Sequence, residues 1–480
     1  MRCIVVLMSQ TSSSATTEDF GATSTFNREP MLAGFPWASA IILYTLSWGW
    51  SLLRPNTLYW DDWDYFESGF IELRADRREM GISPLLAPVE TLVRFFGDWS
   101  IQVATFVLFF LAGVFAFRIL RSVLNLRSQF FGQLVLIFLL APVNHARISR
   151  ICFQYSLSYF FFFLGWLLLI NHRSFTRFLS SLIALFVSLS THSLLFLVLL
   201  PFLHFVWLNK DELKSSKKLR VLHLQVLLIA LLPITYLLLR KLFWPPAKDW
   251  TYYQQIHPRG IALGLIYYFP FILLSSLLIF KKSAKTKFPS LFIVNLGFFA
   301  FGSAVFPYFA GNYFDRLSVL RFNSDWSSRH QLLMPLGLAL SVVGLNELFN
   351  WRKKNFVFVA TVALSVTLNM FWGSQYFLMS HKQEQLVELF ATTKNKIEIA
   401  SVEDDAMQFN GRGASFRSYE WNGFMTLAEI STGRPGCEAL PSGTALVLKS
   451  NTPYLKALVT RDLGLYFEVK PCSEVLAENG

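Results

Sequence analysis

Apolar stretches of roughly 17 to 20 residues recur along most of this chain, the helix length that a hydrocarbon core about 30 Å thick demands. They read as spans at 36–53, 101–118, 130–142, 154–171, 178–190, 193–208, 221–240, 261–280, 289–306, 331–348 and 356–378. A soluble fold has no use for so many. Only 15% of the residues are charged and 53% are hydrophobic, against about a quarter charged in a soluble domain. The expected fold class is an all-α polytopic membrane protein of about eleven transmembrane helices.

The formal charge of +12 does not make a nucleic-acid patch. The basic residues fall in short tracts between apolar runs, around Arg118 to Arg127, His172 to Arg177, Lys210 to Arg220, Lys281 to Lys287 and Arg352 to Lys354. Positive residues in short loops mark the cytoplasmic side. With a cytoplasmic N-terminus every tract lands inside. The segments 54–100, 143–153, 241–260 and 307–330, the Thr191–His192 turn and the tail from 379 then lie outside.

Residues 1–35 are polar and Ser/Thr-rich, and are expected to be disordered. The spans form a membrane domain over 36–380. The segment 381–480 reads as a small extracytoplasmic α/β domain, with a helix from His381 and strands near 396–402, 444–450 and 464–470. Cys437 precedes one of these strands and Cys472 follows another. Antiparallel neighbours would bring the two thiols together, but the helix-like stretch between them argues for a parallel crossover. The cysteine and histidine spacings do not match a structural zinc site.

The first outer segment opens with "YWDDWDYF", residues 59–66. A helix cap and its first turn account for one or two of its acids, and interfacial anchoring accounts for its aromatics. Three carboxylates wedged among aromatic bulk ask for more. A partly desolvated carboxylate is a stronger base than a free one, and a base at the membrane surface suits a substrate that is part lipid and part sugar. Behind the acids, Val89, Leu92, Val93 and Phe96 share one face of an amphipathic helix that fits the membrane interface.

An acidic pair just past the first span, an interfacial helix behind it and many spans after it resembles the GT-C superfamily of polytopic membrane glycosyltransferases. That group includes protein O-mannosyltransferases, aminoarabinose transferases and oligosaccharyltransferase catalytic subunits. The resemblance covers the architecture from about residue 36 to 380 and one short motif, Asp61-Asp62. It implies a polyprenyl-phosphate-linked sugar as donor, inversion at the anomeric carbon, and Asp61 or Asp62 as the catalytic acidic residue. A glycan, lipid or protein would be the acceptor, and the enzyme would sit in a bacterial inner (plasma) membrane. Asp64 has no assured counterpart and is placed with the substrate-binding groups. Loop 143–153 lacks the second acidic motif of metal-dependent members, so no metal or other cofactor is expected.

The donor phosphate needs cations. Arg147 and Arg150 lie three apart and so on adjacent faces of a helix, and Arg329 and His330 stand at the mouth of the tenth span. Arginine on the outer side runs against the positive-inside bias, and its fork binds phosphate oxygens in pairs. Membrane-headgroup snorkelling is the common alternative. His192 is read chiefly as a packing residue. Two rival functions share such arginines. A transporter or flippase for lipid-linked glycans predicts ionisable groups deep in the spans, where this chain is almost charge-free, and a glycan polymerase would depend on the arginines rather than an acid.

Overall fold

A computed structural model describes residues 34–65, 68–123, 128–171, 174–210, 213, 219–247, 258–262, 264–266, 288–310, 326–348, 354–392, 423, 426–427, 444–448 and 467–479. The expected span at 261–280, Cys437 and the strand near 396–402 lie wholly or largely outside these residues.

The chain is mainly helical, and five helices are long and apolar enough to cross a membrane: Trp99–Ser122, Arg150–Ile170, Val221–Phe243, Ser290–Phe309 and Phe356–His381. Eleven spans are not confirmed among the described residues. Four further apolar helices, Phe130–Leu140, Phe175–Ser188, His192–Leu208 and Met334–Leu348, are shorter than the five. The first expected span is a helix of 12 residues followed by a 3-10 turn.

In chain order the helices are α1 (Trp37–Trp48), α2 (Asp62–Tyr65), α3 (Phe70–Glu79), α4 (Ala87–Arg94), α5 (Trp99–Val123), α6 (Ser128–Leu140), α7 (Phe153–Ile170), α8 (Phe175–Ser188), α9 (Leu199–Leu208), α10 (Leu219–Phe243), α11 (Phe288–Ala310), α12 (Met334–Leu348), α13 (Lys354–Thr392) and α14 (Cys472–Asn479). The long membrane-type helices are apolar on nearly all faces, so their association rests on close packing rather than on a polar–apolar divide. At the contact of α11 with α12, a Cβ on Gly297 would lie 2.5 Å from the Ser341 nitrogen, and one on Gly337 would strike the Phe301 backbone. Only glycine allows that approach. Between α5, α6 and α7 the contact is instead aromatic, with Phe109, Phe138 and Tyr159 stacked at 5.6 to 6.0 Å and Phe163 set edge-on to Tyr159 at 4.9 Å.

The last long helix continues past its apolar stretch: α13 runs unbroken for 39 residues, about 58 Å at 1.5 Å per residue. The helix expected to begin the tail is therefore its direct extension. In the tail, β1 (Thr444–Leu448) and β2 (Phe467–Pro471) pair antiparallel, Thr444 opposite Pro471. The parallel crossover is corrected, and Cys472, one residue after β2, is disulfide-bonded.

Candidate functional site

The acidic octapeptide is held at one end of the bundle by its own side chains. Asp62 is 1% exposed and accepts four hydrogen bonds. Tyr59 N donates at 3.0 Å and Arg150 N at 2.9 Å to Oδ2; Ser149 Oγ donates at 2.6 Å and Ile151 N at 2.9 Å to Oδ1. Burial pushes the Asp62 carboxyl up from its ordinary range while all four donors pull it down. Every acceptor position on this carboxylate is taken by chain, so its geometry is that of a clamp joining residues 59–62 to 149–151. Asp61, one residue earlier, is only half-buried. Just before them the turn is tight: Trp60 is fully buried with φ +52, a conformation rare for a bulky side chain.

A second set of contacts ties the same segment to α13. Gln383 Nε2 donates to Leu58 O at 2.7 Å, and Tyr59 Oη to Tyr376 O at 3.2 Å. Arg54 pairs with Glu384 and places Nη2 2.9 Å from His381 Nε2. The other outer segments join through loop 143–153: Asn144 N donates to Gln331 Oε1 at 3.1 Å, Ala146 N to Ser328 Oγ at 2.8 Å, and His145 Nε2 lies 3.1 Å from Asn369 Oδ1. Segments far apart in sequence, all expected on one side of the membrane, thus meet at one end of the bundle.

Between the octapeptide, the start of α5 and the upper part of α13 lies a groove of about 920 Å³, lined by Arg54, Trp63, Asp98, Trp99, Arg150 and Glu384 among others. Arg150 is 4% exposed; its Nη1 sits 3.1 Å from Asp98 Oδ2 and its Nη2 donates to Asn56 O at 2.8 Å. Leu427 of the tail also lines the groove, and Gly423 backs directly onto the Trp63 ring, so the tail contributes a wall. Asp98, Arg54 and Glu384 were not anticipated. "GDWS" at 97–100 repeats the acid–tryptophan pattern of "DDWD", a signal that marks Asp98 in hindsight.

Arg147 goes elsewhere. Residues 145–148 and 150–152 are two 3-10 turns parted by Ser149 in extended backbone (φ −67, ψ 136). The helical spacing expected for Arg147 and Arg150 is corrected by that break. Arg147 turns inward and packs its guanidinium 3.2 Å from the Trp48 ring centre and 4.3 Å from that of Phe109. Burial lowers its pKa to about 10, with Tyr44 and Tyr159 acting the other way, so it stays charged at neutral pH.

Arg329 and His330 lie in a 3-10 turn, Trp326–Gln331, both half-buried. His330 packs on Tyr308 at 4.6 Å, and desolvation with the Arg329 charge holds it neutral, well below the ordinary histidine range. Asp64 falls within α2. His192 lies against Tyr236 at 5.7 Å, and His204 accepts from Trp166 Nε1 at 3.0 Å, both in packing positions. Among the described residues, no group of three or more His, Cys, Asp or Glu side chains converges as a metal site would require.

Comparison with protein families, with curated proteins and with solved structures finds no match to this chain.

Proposed function

We propose that this protein is a membrane glycosyltransferase that moves a sugar from a polyprenyl-phosphate donor to an acceptor on the extracytoplasmic side. The observation that carries the reading is the groove of about 920 Å³ at one end of the bundle, which combines a nearly buried arginine, acidic side chains and two tryptophans beside apolar helices. Such a site offers a phosphate ligand and sugar-stacking rings next to a place for a lipid tail. The basic tracts at the opposite loop ends and the disulfide at Cys472 favour an oxidising, non-cytoplasmic side for it.

In this mechanism the donor phosphate lies against Arg150, which lines the groove; Asp61 and Arg329 are not among the groove's lining residues, and the proposed mechanism brings them to the substrate beside it. Asp61 takes the proton of the acceptor hydroxyl as its oxygen bonds to the anomeric carbon. The bond from that carbon to the phosphate oxygen breaks, and the polyprenyl phosphate leaves with the electron pair under the arginine charge. Asp62 positions Asp61 and Arg150 by fixing the backbone on both sides. The donor class and the role of Asp61 come from the resemblance to the GT-C enzymes. Clamping by Asp62 is what makes Asp61 the better base of the two.

The test uses the purified full chain in nanodiscs with a polyprenyl-phosphate hexose and an extract of envelope glycans, following label transfer. Asp61→Asn is expected to lower turnover by about 10²–10⁴-fold while the melting temperature stays near wild type. Wild-type transfer by Asp61→Asn would remove the general-base mechanism. Arg150→Gln with undiminished retention of polyprenyl phosphate would remove the phosphate assignment. A transfer lost with Arg150 but kept without Asp61 would favour the polymerase reading.

A further inference from the structure

The Arg147 side chain takes no part in that groove and poses its own problem. It is 6% exposed, stays charged, and among the described residues no acidic side chain lines the cavity beside it or acts on its charge. Aromatic faces at 3.2 and 4.3 Å return only part of the hydration that a buried guanidinium gives up. Its Nη2 has no hydrogen-bond partner among the described residues, and neither does the buried Thr105 Oγ1 on the same cavity.

Most of the other donors around this cavity are spent, and His145, which also lines it, has its Nε2 3.1 Å from Asn369 Oδ1. Tyr44 Oη donates to Phe106 O at 2.9 Å, Trp48 Nε1 to Leu139 O at 3.1 Å, Trp50 Nε1 to Ser47 O at 3.0 Å and Ser51 Oγ to Trp48 O at 2.8 Å; Gln102 Nε2 donates to Ile148 O. What is left includes the Arg147 Nη2 amino group, with its two N–H bonds, and the Thr105 hydroxyl, on residues that line about 20 Å³ of space, room for a single water or one ion of that size. Water would satisfy the two donors and leave the charge uncompensated. A phosphate or sulfate needs more volume and more donors than remain. From this we infer that the Arg147 cavity binds one small, weakly hydrated monoanion of the halide class, as chloride, held by Arg147 Nη2 and Thr105 Oγ1 against the aromatic walls. The site is a counter-ion position inside the bundle, separate from the groove.

The experiment measures the melting temperature of the full chain in nanodiscs as chloride replaces gluconate at constant ionic strength. Wild type is expected to gain stability saturably, with bromide substituting for chloride, and Arg147→Gln is expected to lose the response. Should Arg147→Gln fail to fold, Thr105→Val decides: it keeps the charge, removes one hydrogen bond to the ion, and is expected to raise the chloride midpoint about ten-fold or more. Arg54→Gln, at the exposed ion pair with Glu384, is expected to respond as wild type does. Equal melting in chloride and gluconate overturns the inference, as does an unchanged response in both Arg147→Gln and Thr105→Val. A phospholipid that co-purifies with wild type but not with Arg147→Gln, without any halide effect, overturns it in favour of a lipid phosphate.

Discussion

Asp62→Asn tests the clamp directly. The carboxylate accepts two hydrogen bonds on each oxygen, three from backbone N–H groups and one from a hydroxyl. An asparagine keeps one oxygen and turns the other into a donor. The less harmful rotamer keeps the oxygen toward Tyr59 N and Arg150 N and turns the amide toward Ser149 Oγ, which can rotate to accept. Ile151 N then faces another donor in a buried site, at a cost of about 1–3 kcal/mol. The two surviving backbone bonds fall from charge-assisted to neutral strength, adding about 1–2 kcal/mol, and the cheaper burial of a neutral amide offsets part of the sum. The net expectation is about 3 kcal/mol, or about 6–12 °C in melting temperature at 2–4 °C per kcal/mol. Tryptophan fluorescence during heating is the assay, because Trp60 and Trp63 flank the residue. Asp61→Asn, at the half-buried neighbour, is expected to cost less than about 1 kcal/mol. A melting temperature for Asp62→Asn within a degree of wild type, or a larger drop for Asp61→Asn, would refute the assignment of clamp and base.

Three further outcomes follow from the packing. Glu90, 2% exposed, bridges Arg77 and Arg94 between α3 and α4. Glu90→Gln leaves the nearly buried Arg77 charge without its partner, an expected loss of about 3–5 kcal/mol, read by thermal melting and by faster trypsin cleavage within 70–94. Gly337→Ala is expected to destabilise by about 1–3 kcal/mol or more by prising α12 from the Phe301 backbone, whereas Gly69→Ala, where a Cβ meets nothing within 4 Å, serves as the matched control; equal melting of the two would contradict the close contact. Leu92, Phe95 and Phe96 are 62%, 83% and 65% exposed at the end of α4, so Phe95→Trp should be quenched by lipids brominated on the acyl chains. Quenching by aqueous iodide instead would place that face in water.

Charge alternation made part of the site legible. It assigned 54–100, 143–153 and 307–330 to one side from arginine and lysine placement alone, and the bonds from Asp62 to 149–151 and from Ala146 to Ser328 join these segments. Span number was less legible, because an apolar run states how much chain is greasy and not where a helix stops. The run at 331–348, for example, spends its first residues in a 3-10 turn before α12. The interfacial helix was half legible. Val89 and Val93, assigned to its membrane face, pack instead on a small cluster with Leu86, Ile101, Phe153 and Leu157, while Leu92 and Phe96 stay exposed. Periodicity gives a helix face but not what covers it.

The groove was beyond sequence reasoning for a geometric reason. Arg54 meets Glu384 across 330 residues, and no local pattern encodes a partner at that distance. The two adjacent aspartates were indistinguishable on similar grounds: which one turns inward depends on three backbone N–H groups, and backbone donors have no sequence signature. Once Asp62 is spent on them, the excess of acid in the octapeptide has a physical explanation. One carboxylate is consumed in bringing the basic loop against the acidic one, and a separate acid must supply any chemistry there. The same break at Ser149 that lets its hydroxyl and the next two amides reach Asp62 also sends Arg147 and Arg150 apart. Arg150 lines the groove and Arg147 the smaller cavity, so under the proposed function the clamp decides which cation a phosphorylated lipid meets.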